Sequence, residues 1–211
     1  MQTDLTRDIL AYIENVLGVA QIGLTFVTND YDRARLLRLR ELSVGLIARL
    51  EHEDVAKVAR WIAYDENYAT PKIDVRAMIY DEAGRILLTR ERADGLWTLP
   101  GGWCEMGESA GETVVKEVAE ETGLVVEPLR LVALYDKHKH DHPPEIPHAY
   151  KCFFLCRTTG GELLPETHET LGCAWFDITA LPQISENRNT TKQIIDLTHY
   201  VRSGAERCLF D

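Results

Sequence analysis

The chain has 211 residues, 45% of them hydrophobic and 27% charged, with a formal net charge of −11. That composition belongs to a globular protein with a substantial core and excludes disordered, collagen-like and low-complexity classes. Its acidic balance argues against bulk electrostatic attraction to nucleic acid, which needs the opposite sign.

The N-terminus, MQTDLTRDIL, lacks the basic-then-apolar pattern of a secretion signal, and no apolar run is read as approaching a bilayer span. A soluble cytoplasmic protein without membrane partners is therefore expected. From Asp4 to about Leu24 the apolar residues Leu5, Ile9, Ile13, Val16, Leu17 and Ala20 recur at helical spacing. A second helical pattern, carried by Leu36, Leu39, Leu42, Leu46, Ile47 and Leu50, follows Thr28-Asn29-Asp30, whose side chains suit a helix N-cap. Asp54 to Tyr64 reads as a third, shorter helix. At Ala69-Thr70-Pro71 the period switches to alternation, with Ile73, Val75, Ala77 and Ile79 on one side of a strand and Asp74, Arg76 and Met78 on the other. A boundary near residue 68 follows, dividing a helical extension (1–68) from an α/β domain (69–211).

Within that domain, Arg85 to Arg90, Val125 to Tyr135, Ala149 to Arg157 and Gly172 to Phe176 read as strands, and Ser109 to Thr122 and Thr190 to Val201 as helices. The five cysteines, Cys104, Cys152, Cys156, Cys173 and Cys208, form no C-x-x-C pair, which fits free thiols and offers no structural zinc site.

Chemistry concentrates between Leu99 and Leu124. Ser109 followed by Glu112 is a capping box that starts a helix at Ala110, and Gly123 suits the left-handed residue that ends it. On that helix Glu117, Glu120 and Glu121 share one face, while Val115, Val118 and Ala119 occupy the other side. Three like charges so close repel, leaving two readings: a solvated acidic face, or an all-oxygen set for a hard dication such as Mg²⁺ or Mn²⁺. The pair Gly101-Gly102 permits close backbone approach, so a carbonyl could add an oxygen ligand.

The spacing Gly102-x5-Glu108-x7-Lys116-Glu117-Val118-x-Glu120-Glu121-x-Gly123-Leu124 resembles the Nudix box at every fixed position but one. Lys116 stands where that family usually has arginine, keeping the charge and losing the planar fork. Ala20-Gln-Ile-Gly-Leu-Thr-Phe, Asp30-Tyr-Asp-Arg, Pro71-Lys-Ile-Asp-Val-Arg-Ala, Trp97-Thr-Leu-Pro-Gly-Gly-Trp103, His140-Asp-His-Pro-Pro144 and Tyr150-Lys-Cys-Phe-Phe-Leu are similar to the bacterial Nudix subgroup of CDP-choline and ADP-ribose pyrophosphatases. The resemblance implies an α/β/α sandwich with a mixed sheet, an all-α extension that contributes to a dimer, and metal-dependent cleavage of a nucleoside diphosphate linked to another moiety.

Carried over by position, the resemblance makes Glu117, Glu120 and Glu121 the metal ligands; Glu108 either supports them by hydrogen bonding or ligation or is simply a charge at the helix N-terminus, and the Gly102 carbonyl is the further ligand that the glycine pair allows. Glu117 is also a candidate proton acceptor, and Lys116 joins the catalytic set. A second general base is expected on a loop beyond the helix, with Glu169 ahead of Glu166. Arg76 interrupts a strand expected between helix layers, where an unpaired charge is costly; a phosphate contact and a salt bridge to Asp74 or a glutamate are both open. Arg90 and Arg92 are further phosphate candidates. Trp103 and Tyr135 are candidates to stack on a base, and His140 belongs to a histidine-rich loop (His138, His140, His142, His148, with Pro143 and Pro144) read as substrate-facing or simply solvated. RNA end-processing and a non-catalytic nucleotide sensor are the rival functions, the former disfavoured by the absence of a basic stripe.

Overall fold

The computed structural model describes residues 2–63, 69–143 and 147–211. The chain divides into two compact units: Met1–Pro71 with Pro143–His148, and Lys72–His142 with Ala149–Asp211. The boundary expected near residue 68, Tyr64 at the end of the third predicted helix, and Pro144 of the histidine-rich loop lie outside the described residues.

In the first unit the helical periodicity becomes α1 (Gln2–Phe26), α2 (Asp30–Leu50) and α3 (Val55–Ala63). Asn29 caps α2, its side chain accepting the Asp32 N–H at 2.8 Å. Leu10, Ile13 and Leu17 of α1 pack with Val44, Ile47 and Ala48 of α2 and with Val58 and Ile62 of α3. Leu39, Leu42 and Leu46, expected to carry the α2 core stripe, instead stay 37%, 54% and 41% exposed, and Tyr12 and Val19 of α1 are exposed too. Together with Ile9, Tyr12 and Val16 of α1 these leucines line an apolar groove between the two helices that the three-helix core leaves open. The chain also departs from the expectation that no apolar run approaches a bilayer span. Among the described residues one stretch, Asp8–Phe26, with mean hydropathy 1.5, is long and apolar enough by length and composition, a test that core helices of soluble proteins also pass.

The second unit contains β1 (Lys72–Ile79), β2 (Ile86–Glu91), β3 (Trp97–Thr98), α4 (Ala110–Thr122), β4 (Leu124–Asp136), β5 (Ala149–Gly161), β6 (Thr170–Phe176), α5 (Thr191–Arg202) and β7 (Leu209–Phe210). One sheet has the order β1-β5-β4-β7, and it is mixed: β1 runs parallel to β5, β4 antiparallel to β5, and β7 parallel to β4. The other, β3-β2-β6, is antiparallel. The two-residue strands β3 and β7 were not anticipated, because they are too short to show a period.

The alternation read along β1 sorts its residues between two cores. Val75, Ala77 and Ile79 join Val114 and Val118 of α4, while Met78 joins Ile194 and Leu197 of α5. Helices therefore cover both sides of the strands, the α/β/α sandwich expected. On α4 the burial differs in detail from expectation: Val114 and Val118 are fully buried, whereas Ala119 is exposed.

Candidate active site

Two local devices fix α4. Ser109 and Glu112 form the reciprocal capping box, and Gly123 ends the helix at φ 79°. Ahead of the helix, the 100–104 segment runs beside β1: Val75 N–H donates to Gly102 O at 2.8 Å, Ala77 N–H to Pro100 O at 2.8 Å, and Cys104 N–H to Ile73 O at 2.9 Å. Gly101 sits at φ 141°, and a Cβ there would lie 2.0 Å from Val75 O, so no side chain fits. A Cβ on Gly102 would come within 2.8 Å of the Glu117 carboxylate. The glycine pair thus lets this segment lie between β1 and the helix glutamates. The Gly102 carbonyl, expected as a metal ligand, already accepts the Val75 hydrogen bond.

Glu117 and Glu121 of α4 meet Glu169 in a trio whose ligand oxygens lie within 4.8 Å of one another. Glu169 is delivered by an ordered turn. Thr167 Oγ1 accepts from the Glu169 and Thr170 N–H groups at 3.2 and 3.1 Å, and Thr170 Oγ1 donates to Glu121 O at 3.1 Å. Glu121 is 5% exposed and accepts the Gly101 N–H at 3.0 Å. Burial pushes its carboxyl up to about 8 against the pull of Arg76, and burial with the neighbouring Glu169 pushes Glu117 up to about 7. Such shifts mark carboxylates that are desolvated first and crowded second. Their all-oxygen donor set fits a hard divalent cation, and nothing in the trio suits a soft one.

The other predicted residues fall in different places. Glu120 is exposed and outside the trio, although its charge helps raise Glu117. Glu108 accepts from Thr113 Oγ1 and from Lys116 Nζ, each at 3.2 Å, and Lys116 also reaches Glu105 at 3.0 Å. Those two hydrogen bonds raise the Lys116 ammonium above its ordinary range. Glu166 pairs with Arg92 at 3.6 Å and stays outside the trio.

Arg76 is 1% exposed. Its Nε and Nη2 donate to the two Asp74 oxygens at 2.9 and 2.7 Å, and Nη1 to Leu99 O at 3.2 Å. Lys151, opposite Asp74 in the β1–β5 register, donates to the same carboxylate at 3.0 Å. The expected Asp74 bridge is present, and Arg76 lies too deep to meet a phosphate. Burial works against the Asp74 charge, but Arg76 and Lys151 outweigh it and hold the carboxyl down at about 2. The Arg76 field also reaches Glu121 and Glu91.

A cleft of about 440 Å³ opens over the trio, lined also by Gly101, Gly102, Trp103, Glu91, Arg92 and Arg188. Trp103 is 47% exposed there, free to meet a flat ligand. Arg92 lines the cleft with its Nη2 donating to Thr167 O at 2.8 Å and Thr170 O at 3.3 Å. Arg90 is exposed, bonds Gly95 O at 2.8 Å and does not line the cleft. His140 is also outside it, stacked on Tyr135 at 4.1 Å and paired with Asp211 at 3.1 Å. Glu91 and Arg188, at 3.0 Å from each other, were missed. Glu91 ends a strand and so resembles any strand-end charge, and nothing near Arg188 in sequence signals a site.

The NUDIX domain family matches residues 70–197, and a family described as the UDP-X-like, N-terminal oligomerisation domain matches residues 7–62. A Bacillus subtilis protein named "Putative ADP-ribose pyrophosphatase YjhB" is 41% identical over 94% of both chains. Among solved structures, an ADP-ribose pyrophosphatase of Streptococcus suis is 44% identical, covering 67% of this chain and all of its own, with a TM-score of 0.60. A UDP-X diphosphatase is 32% identical, covering 98% of this chain and 99% of its own, with a TM-score of 0.63. A box whose glutamates converge beneath a cleft and a family match spanning the α/β unit give one conclusion: the chain belongs to the Nudix hydrolases, with an N-terminal region of the UDP-X oligomerisation type.

Proposed function

We propose that this Nudix hydrolase cleaves a nucleoside diphosphate linked to a second moiety, with ADP-ribose and CDP-choline as leading substrates, and releases a nucleoside monophosphate and the phosphorylated moiety. The observation that carries this reading is the trio of Glu117, Glu121 and Glu169 beneath an open cleft. The names of the relatives support it, two being called ADP-ribose pyrophosphatases and one a UDP-X diphosphatase.

Nudix enzymes generally use a divalent metal, and here Glu117 and Glu121 would hold Mg²⁺ or Mn²⁺ from the helix. When bound, the cation lowers the pKa of water and neutralises charge developing on phosphate oxygens. The protein's own groups do the rest. Gly101 N–H fixes the Glu121 carboxylate at 3.0 Å, and Arg76 supplies buried positive charge nearby. Glu169, half exposed on its turn, takes the proton of the attacking water at a carboxylate oxygen. Its Oε1 lies 3.0 Å from Nε2 of His168, whose 79% exposed ring can pass that proton to solvent. The water oxygen forms the new bond to phosphorus, and the bridging P–O bond breaks with its electrons leaving on the departing phosphate. Lys116, tied to Glu105 and Glu108, braces the helix start outside the trio.

The exposed apolar stripe of α1 and α2, in a region matching an oligomerisation domain, supports a homodimer formed through that face. Incubating the purified chain with ADP-ribose, CDP-choline, a UDP-sugar and a short oligonucleotide, each with Mg²⁺, Mn²⁺ or EDTA, tests the reading. Metal-dependent release of a nucleoside monophosphate is the expected outcome. Cleavage of the oligonucleotide alone would favour RNA processing, and no cleavage with any metal would favour a sensor.

A further inference from the structure

The charged lining of the cleft is mostly acidic, yet the ligand proposed for it is a dianionic diphosphate. Glu91, Glu105, Glu117, Glu121 and Glu169 line it, against two arginines, Arg92 and Arg188. Arg92 spends its guanidinium on the Thr167 and Thr170 carbonyls, holding the turn that carries Glu169. Arg188 is differently placed. Its guanidinium forms an ion pair with Glu91, Nη2 to Oε2 at 3.0 Å, and its side chain is 35% exposed to the cleft. Glu91 itself is 8% exposed, and its Oε1 is buried without a hydrogen-bond partner among the described residues.

The segment that presents Arg188 is tied down by hydrogen bonds. Ser185 N–H donates to Trp97 O at 2.8 Å, and Ser185 Oγ to Asp94 Oδ2 at 2.6 Å. Arg188 N–H donates to Ser185 O at 2.8 Å. Asn189, fully buried, accepts from Thr98 Oγ1 at 2.5 Å and from Leu99 N–H at 2.8 Å, two residues before Gly101. The guanidinium is thus anchored through Nη2 on a buried carboxylate, and the part-exposed side chain lines the cleft from a loop tied to the glycine segment.

We infer that Arg188, oriented by Glu91, is the group that grips the substrate diphosphate in the cleft that the glutamate trio lines. The inference rests on the pyrophosphohydrolase reading above. A planar fork with an anchored edge suits two phosphate oxygens better than a mobile ammonium, because little rotamer freedom is left to lose on binding. It also places positive charge where a carboxylate-lined site would otherwise repel its ligand.

The test is equilibrium binding of the non-hydrolysable α,β-methylene analogues of ADP and CDP with saturating Mg²⁺, alongside Mg²⁺ binding alone and steady-state hydrolysis. Arg188→Ala leaves Glu91 buried and unpaired, so the double variant Glu91→Gln/Arg188→Ala is made as well, together with Arg188→Lys. Expected is saturable binding of at least one analogue by the wild type. Both variants lacking Arg188 should bind it at least tenfold more weakly, Arg188→Lys should fall between, and Mg²⁺ affinity should stay within twofold. In hydrolysis the loss should appear in KM more than in kcat. A loss under tenfold in the double variant, a parallel loss of Mg²⁺ affinity, or no analogue binding by the wild type would overturn the role. Hydrolysis by the wild type with KM unchanged in Arg188→Ala removes only Arg188. Arg188-dependent binding with no hydrolysis of any nucleoside diphosphate derivative removes only the catalytic reading.

Discussion

Glu121, 5% exposed and hydrogen-bonded to the Gly101 amide, is the least solvated member of the trio, and its folded-state carboxyl near 8 is far above the ordinary 4.5. Replacing it by glutamine keeps an oxygen for that amide and removes a charge burial disfavours. Glu121→Gln should therefore lower kcat by roughly a hundredfold or more while melting no earlier than the wild type without metal, as steady-state assay and calorimetry would show. A pH effect follows with a definite sign. Glu117 and Glu121 bind more protons folded than unfolded, so their contribution is fully present below 4.5 and is lost as pH rises through about 7 and about 8. Asp74, held near 2 against an ordinary 3.8, acts oppositely and is lost only under strong acid. Burial holds His142 down at about 3 against an ordinary 6.5, which offsets part of the fall below pH 6.5. Thermal unfolding in EDTA should thus show stability falling most steeply above about pH 6.5 and on to about pH 8, and Mg²⁺ should raise the midpoint most at the alkaline end. Legibility at this scale follows sequence distance. The box glutamates and the oddity of Arg76 inside a strand were readable. Glu120 shares the helix face but not the trio, because angular position on a helix does not say which carboxylate a distant turn will cover. Lys151 beside Asp74, and Glu91 beside Arg188, depend on pairings between distant parts of the chain that no local pattern encodes.

Elements carry their own punctuation more openly. Ser109, Glu112 and Gly123 announce α4 because capping is local hydrogen-bond chemistry, and Asn29 announces α2 for the same reason. The strands were legible through alternation, and β1 shows why: its two faces feed two different cores. The turn at residues 167–170 left no such trace beyond its threonines, since its geometry is completed by the Thr170 bond to the Glu121 carbonyl. Gly101→Ala tests the fit between the glycine segment and β1. A methyl 2.0 Å from Val75 O at φ 141° must displace backbone, so urea unfolding should show a loss of about 2 kcal/mol or more, together with loss of Mg²⁺ binding.

At the scale of the molecule, a helical unit matching an oligomerisation domain leaves apolar residues bare on the single chain. Leu42, 54% exposed, is free of the α1–α2–α3 core. Leu42→Glu should leave the helical content unchanged and convert the proposed dimer to monomer, as sedimentation velocity would show. The switch from helical to alternating period at Ala69 was legible, but which apolar stripe faces the core and which faces outward was not, because periodicity reports a stripe and not its partner. The glycine segment beside the glutamate trio also closes a sheet edge. β1 is the outermost strand of its sheet, and Pro100 to Cys104 occupy the hydrogen-bonding side that β5 does not use. A loop that hems a sheet cannot swing aside without laying bare sticky backbone, so it stands as a fixed wall of the open cleft, and lesions in this turn should cost solubility along with turnover.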